Sequence, residues 1–66
     1  NIQRNVLIPM LPALCSRLKA GGTLLLSGLL TADREPMIAA LQEAGLTLLE
    51  EAQEHEWIAL AASRGS

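Results

Sequence analysis

The run Thr23-Leu24-Leu25-Leu26-Ser27, held between Gly21-Gly22 and Gly28, restricts the possible folds more than any other feature of this chain. Consecutive leucines place apolar side chains on both sides of an extended backbone, and the run is too short to be a helix of its own. A strand of this kind belongs in a parallel sheet covered by helices above and below, so the predicted class is α/β. It also needs a neighbour on each edge, because an unpaired apolar edge pairs with whatever strand it meets.

The flanking segments supply the other elements. Upstream, Leu7, Met10, Leu11, Leu14 and Leu18 recur at spacings of three and four, which predicts a helix from about Asn5 to Lys19 with one buried stripe. Pro9 and Pro12 fall inside it, so either they bend the helix or its regular part starts late, with Pro12 in the first or second turn. Lys19 suits the negative end of the helix dipole, and Gly21-Gly22 offer the left-handed stop. Downstream, Gly28 is expected to end the strand. Thr31 or Asp33 then caps a second helix carrying Met37, Ile38, Leu41 and Ala44 on one stripe, with Pro36 in its first turn and Gly45 as its stop. Leu46 to Gln53 and Glu56 to Ala62 read as two strands joined by a turn around Glu54-His55.

The order helix, strand, helix, strand, strand limits the topology. Leu46-Thr47-Leu48-Leu49-Glu50-Glu51 becomes charged along its length, as edge strands do, whereas Trp57-Ile58-Ala59-Leu60-Ala61-Ala62 is apolar throughout and belongs inside. A right-handed crossover through the second helix leaves a gap beside strand 23–28, and the last strand fills it antiparallel to both neighbours. The predicted spatial order is first, third, second. One edge of strand 23–28 then stays open, so the rest of a sheet is missing or comes from another chain.

Composition narrows the function classes. Half of the 66 residues are apolar, yet the only aromatic is Trp57 and the only cysteine is Cys15, so the core is leucine and alanine and no internal disulfide can form. A net charge of −2 gives no basic face for nucleic acid. Charge is also uneven, since residues 1–30 carry Arg4, Arg17 and Lys19 without an acid and residues 31–66 carry all 7 acids with only Arg34 and Arg64. No apolar run approaches the ~20 residues that span a bilayer, and no secretory signal pattern is present, which leads to the expectation of a cytoplasmic setting.

Several motifs together resemble a known family. Leu18-Lys19-Ala20-Gly21-Gly22-Thr23-Leu24 is similar to the Leu-Lys-Pro-Gly-Gly-x-Leu turn before the fifth strand of class I methyltransferases, with Ala20 in place of the proline. Asn1-Ile2 followed by Pro12, Leu26-Ser27-Gly28-Leu29-Leu30, and Glu56-Trp57 look like the ribosomal protein L11 methyltransferase family in particular. The resemblance covers nearly the whole chain but only the C-terminal half of that family's catalytic domain. It implies a Rossmann-like sheet and a protein methyltransferase that uses S-adenosylmethionine as its cofactor, with a large-subunit ribosomal protein as substrate. It further implies that Asn1 closes the strand before the first helix and lies beside the cofactor's methyl and the acceptor amine, a catalytic and cofactor-contacting place. Gln3 and Arg4 stand where the family has Leu-Ala. The glycine-rich loop and the ribose-binding acid belong to the part upstream of these residues, and Gly21-Gly22 cannot replace them because they precede a strand.

The remaining polar residues have plainer readings. His55, in an acidic hairpin turn, reads as exposed and idle rather than as a proton acceptor. Cys15 flanks the apolar stripe and reads as a packing thiol rather than a nucleophile. Glu50, Glu51, Glu54 and Glu56 form a solvated edge that blocks aggregation, or else a contact for a basic protein substrate. The expected function is therefore a methyltransferase fragment, inactive by itself, with no metal. The alternatives are another class I methyltransferase, or a non-catalytic module that pairs with itself or another chain through its open sheet edge.

Overall fold

The computed structural model describes residues 2–65. Helix α1 (Ile2–Arg17) leads through the Gly21-Gly22 turn into strand β1 (Thr23–Leu30), a single 3-10 turn (Thr31–Asp33), helix α2 (Arg34–Glu43) and strands β2 (Leu46–Glu54) and β3 (Trp57–Arg64). The sheet order is β1-β3-β2 with β3 antiparallel to both neighbours, as the edge-charge argument predicts. The chain is thus α/β in content, but both strand pairs of its three-stranded sheet are antiparallel, so the parallel sheet expected around β1 is not present among the described residues; β1 and β2 point the same way on either side of β3.

The core lies between the helices and one face of the sheet. Leu11 and Cys15 of α1 and Met37 and Leu41 of α2 are buried against Leu26, Leu29, Leu46, Ile58, Leu60 and Ala62. Cys15 is therefore the packing thiol expected. Met10, predicted on the buried stripe, is 46% exposed. The inward line of α1 runs instead through Leu7, Leu11, Leu14, Cys15 and Leu18, because Cys15 falls four residues after Leu11 where Met10 precedes it by one.

Several boundaries differ from the sequence reading. Helix α1 begins at Ile2 and continues through Pro9 and Pro12, so it neither starts late nor extends to Lys19. Each proline removes the bond to the carbonyl four residues back, at Asn5 and Ile8, and both prolines lie on the exposed side, away from the packed stripe. Arg17, not Lys19, occupies the last turn. The end of α1 is closed from a distance: an Arg64 Nη1 donates to the Leu18 carbonyl and, at 3.4 Å, to that of Ser16. Backbone bonds Gly21 N to Arg64 O and Arg64 N to Gly22 O, both 2.9 Å, tie the turn to the end of β3. Gly22 has no room for a side chain, since a Cβ would meet the Lys19 carbonyl oxygen at 2.9 Å.

Gly28 does not end β1. The strand continues to Leu30 across an irregularity between Leu26 and Leu29, where Ser27 and Gly28 together face one residue of β3, and Gly28 adopts φ +71°. A second irregularity lies between Leu48 and Glu50 of β2. The hairpin turn is His55-Glu56, one residue later than expected, with His55 itself at φ +57°.

Burial of β1 on both faces is the expectation that the structure overturns. Leu26 and Leu29 are buried under the helices, but Leu25 on the opposite face is 75% exposed. Trp57 is 49% exposed at the start of β3, although the strand is the inner one. Both helices lie on one side, so the other face carries Leu25, Trp57, Ala59 and Ala61 toward solvent. The second edge of β1 has no partner strand among the described residues.

Candidate functional site

The C-terminal end of β1 is where buried charge collects. Asp33, the last residue of the 3-10 turn, is 5% exposed and is the buried charged residue of the core region. Its Oδ1 accepts an ion pair from Arg4 Nη1 at 3.2 Å, which joins the first turn of α1 to the end of β1. Its Oδ2 is buried without a hydrogen-bond partner among the described residues. Asp33 stands at the N-cap position of α2 yet makes no capping hydrogen bond with its side chain, because the carboxylate turns to Arg4 instead. Thr31, the other cap candidate, uses its backbone N–H on the Glu56 carbonyl at 2.8 Å and begins the 3-10 turn.

Next to it, Arg34 opens α2 and makes a two-point contact with Glu51 of β2, Nε to Oε2 at 2.7 Å and Nη2 to Oε1 at 2.6 Å. A third bond, Nη1 to Glu35 Oε1, is 2.7 Å. The hydrogen bonds from Arg34 hold the Glu51 carboxyl below its ordinary range, and those to Glu51 raise the guanidinium further above its own. The irregularity at Leu49 explains why Glu51 takes this role. Leu48 lies opposite Ala62 and Glu51 opposite Leu60, so both share the helix-covered face, while Glu50 opposite Ala61 falls on the open one.

The residues singled out in the sequence are not assembled into one centre. Asn1, the expected catalytic and cofactor-contacting residue, lies outside the described residues. His55 is exposed in the hairpin turn, bonded through its carbonyl by Gln53 Nε2 at 3.1 Å. Glu50, Glu54 and Glu56 are exposed along the β2 edge and its turn, and among the described residues Glu51 of that group is held by a cation. No set of three metal-ligating side chains occurs among the described residues. The Arg4–Asp33 pair escaped sequence reasoning; the available signal was a lone acid directly after an apolar strand and a lone arginine in a helix start without acids.

The open sheet face holds an apolar depression of about 270 Å³ lined by Leu25, Ala59, Ala61 and Ala52, with Glu50 at its rim. It is wide and shallow. Nor do the glycines form a nucleotide cradle, since Gly21 and Gly22 precede β1 and their backbone groups are engaged with Arg64.

The arrangement is a β-α-β unit whose gap is filled by an antiparallel strand, with one sheet face and the outer edges of β1 and β2 uncovered among the described residues. The family model described as ribosomal protein L11 methyltransferase (PrmA) matches residues 1–65, and the chain belongs to that family. Curated relatives bear the same name. The protein from Desulforapulum autotrophicum is 42% identical over 62 residues, which is 94% of this chain and 20% of the relative. That from Porphyromonas gingivalis is 45% identical over 60 residues (91% of this chain, 21% of the relative), and that from Agathobacter rectalis 34% over 64 residues (97% and 20%). The chain thus spans about one fifth of the length of the relatives it matches.

Proposed function

We propose that these 66 residues are the C-terminal portion of the catalytic domain of a protein methyltransferase, which in complete form moves methyl groups from S-adenosylmethionine to amino groups of ribosomal protein L11. The observation that carries this reading is the family match over residues 1–65. The strand order β1-β3-β2, with the last strand inserted antiparallel, supports a Rossmann-like sheet continuing beyond the open edge of β1. A ribosomal-protein substrate favours the cytoplasm as the place of action, and no helix among the described residues is long and apolar enough to cross a membrane.

The described residues do not fit a cofactor site. They lack a glycine-rich turn leading from a strand into a helix, so binding of S-adenosylmethionine is assigned to the rest of the domain. What this chain contributes is scaffold plus Asn1. Its carboxamide oxygen is suited to accept an N–H from the acceptor amine, fixing the direction of the nitrogen lone pair before attack. The test is direct: the complete protein is incubated with S-adenosylmethionine and L11 of its own organism, and L11 is weighed by mass spectrometry. Added methyl groups support the reading. Methylation of other substrates but not of L11 would favour another class I methyltransferase, and no transfer to any substrate would favour the strand-pairing module.

A further inference from the structure

The sheet face turned away from the helices has an uneven chemistry. Trp57, Ala59 and Ala61 of β3 run down its middle, and the register sets Leu25 of β1 beside Ala61 on one flank. On the other flank Glu50, Ala52 and Glu54 of β2 lie beside Ala61, Ala59 and Trp57 in turn. The alanines make a low floor between Leu25 and the two glutamates. Leu25 and Trp57 are well exposed, and so are Glu50 and Glu54. Neither of these glutamates has an ion-pair partner among the described residues, where Arg4 is engaged by Asp33 and Arg34 by Glu35 and Glu51.

Each feature specifies something about the occupant. A floor of alanines admits the apolar stripe of a helix lying along β3. Negative charge on one flank only calls for cations on the helix edge that faces β2. Glu50 and Glu54 are four residues apart on a strand, about 13 Å. Seven residues of helix rise about 10.5 Å, and the flexible stem of a lysine or arginine spans the difference. The occupant is permanent, because an apolar face left wet between encounters is an association hazard. The matched relatives are about five times as long as this chain, so a longer polypeptide of the same kind has ample sequence to supply it.

We propose that this face seats an amphipathic helix from the remaining part of the same polypeptide, its apolar stripe over Ala59 and Ala61 and its basic residues, seven apart, paired with Glu50 and Glu54. This rests on the reading above that these residues belong to a longer protein. The two glutamates fix which edge of the helix faces β2, and the Trp57 ring beside Glu54 adds to the attraction for the cation there.

The experiment treats the complete protein, as an equal mixture of isotopically light and heavy copies with L11 added, with a soluble carbodiimide that joins a carboxylate directly to a touching lysine amine. Mass spectrometry then locates the links. The expected result is Glu50 and Glu54 joined, within one copy, to lysines about seven residues apart in one segment outside residues 1–66. With glycinamide as a competing amine, both glutamates should be labelled about tenfold more slowly than the exposed Glu43 of α2. Links only between light and heavy copies would assign the face to a second copy, and links only to L11 would assign it to the substrate; either overturns the proposal, as does labelling as fast as at Glu43. Slow labelling without links is decided by Glu50→Gln/Glu54→Gln. If arginines answer the glutamates, added salt lowers the denaturation midpoint of the unaltered protein more than that of the double variant. An equal response to salt overturns the proposal. None of these readouts requires methyl transfer, so an enzyme inactive on L11 would defeat the functional reading and leave this test intact.

Discussion

Arg34 and Glu51 join the start of α2 to the outer strand β2 through two parallel N–H to oxygen bonds of 2.7 and 2.6 Å. Both side chains are about one third exposed, so water and salt weaken the attraction, but the fork geometry fixes it in direction.

The pair should leave a mark on acid stability. Glu51 titrates below its ordinary value in the folded chain, so its contribution is complete above the pH at which an unfolded glutamate ionises. It is lost as pH falls through the lower, folded value. Melting of the unaltered protein and of Glu51→Gln across an acid series should show a gap that is widest near neutrality and closes in acid. Arg34 adds no second transition there, because its own value moves up, away from that range. A gap independent of pH would mean that Glu51 acts by packing rather than by charge.

Leu41 and Leu25 should respond oppositely to truncation. Leu41 is 0% exposed beneath α2, and Leu41→Ala should cost about 2–5 kcal/mol wherever it is measured. Leu25→Ala should be nearly silent, within about 0.5 kcal/mol, in the isolated chain diluted to a monomer, where its side chain is 75% exposed. If the proposed rest of the domain covers this face, the same change in the complete protein should approach the cost of a buried leucine. Chemical denaturation of both forms supplies the comparison, and an equally silent Leu25→Ala in both would leave that face uncovered.

The isolated chain should self-associate. β1 offers an unpaired edge among the described residues, and the face beside it carries Leu25, Ala59, Ala61 and Trp57. Sedimentation at several dilutions should report a dimer or larger species. A monomer at micromolar concentration with a cooperative melt would show that the chain closes its own core.

S-adenosylmethionine should not bind the isolated chain measurably by calorimetry, since Gly21 and Gly22 are spent on the α1 to β1 connection. Saturable micromolar heat would require a cofactor site within these residues.

Asn1→Ala in the complete enzyme should lower turnover more than cofactor affinity if the carboxamide orients the acceptor. The reverse pattern would move Asn1 to the cofactor side. Small and equal effects on both would make it a helix cap.

The spatial order of the strands was legible because two strands differed in charge: Glu50 and Glu51 marked the edge, and Ile58 to Ala62 marked the interior. Cys15 was legible from its place on the helix. What eluded the sequence was phase. Two irregularities shift the inward side of β1 at Ser27-Gly28 and of β2 at Leu49, and strict alternation cannot reveal them, as an inserted residue leaves no distinctive composition. Met10 was misplaced for a related reason, since residues 10 and 11 are both apolar and periodicity alone does not say which faces in. The Arg4–Asp33 pair links residues far apart in sequence, and a pairing that depends on tertiary approach has no local signature.

The irregularity at Leu49 gives the outer strand a tolerance that its composition hides. Were Leu49 lost, regular alternation would return with Glu50 still opposite Ala61 and Glu51 still opposite Leu60, on the side where Arg34 waits. The extra residue is thus absorbed ahead of the two glutamates, whose places opposite β3 are set from the hairpin side. A shortened β2 could keep its tie to α2 without any substitution, so a change in loop or strand length during evolution need not break the joint that anchors the second helix.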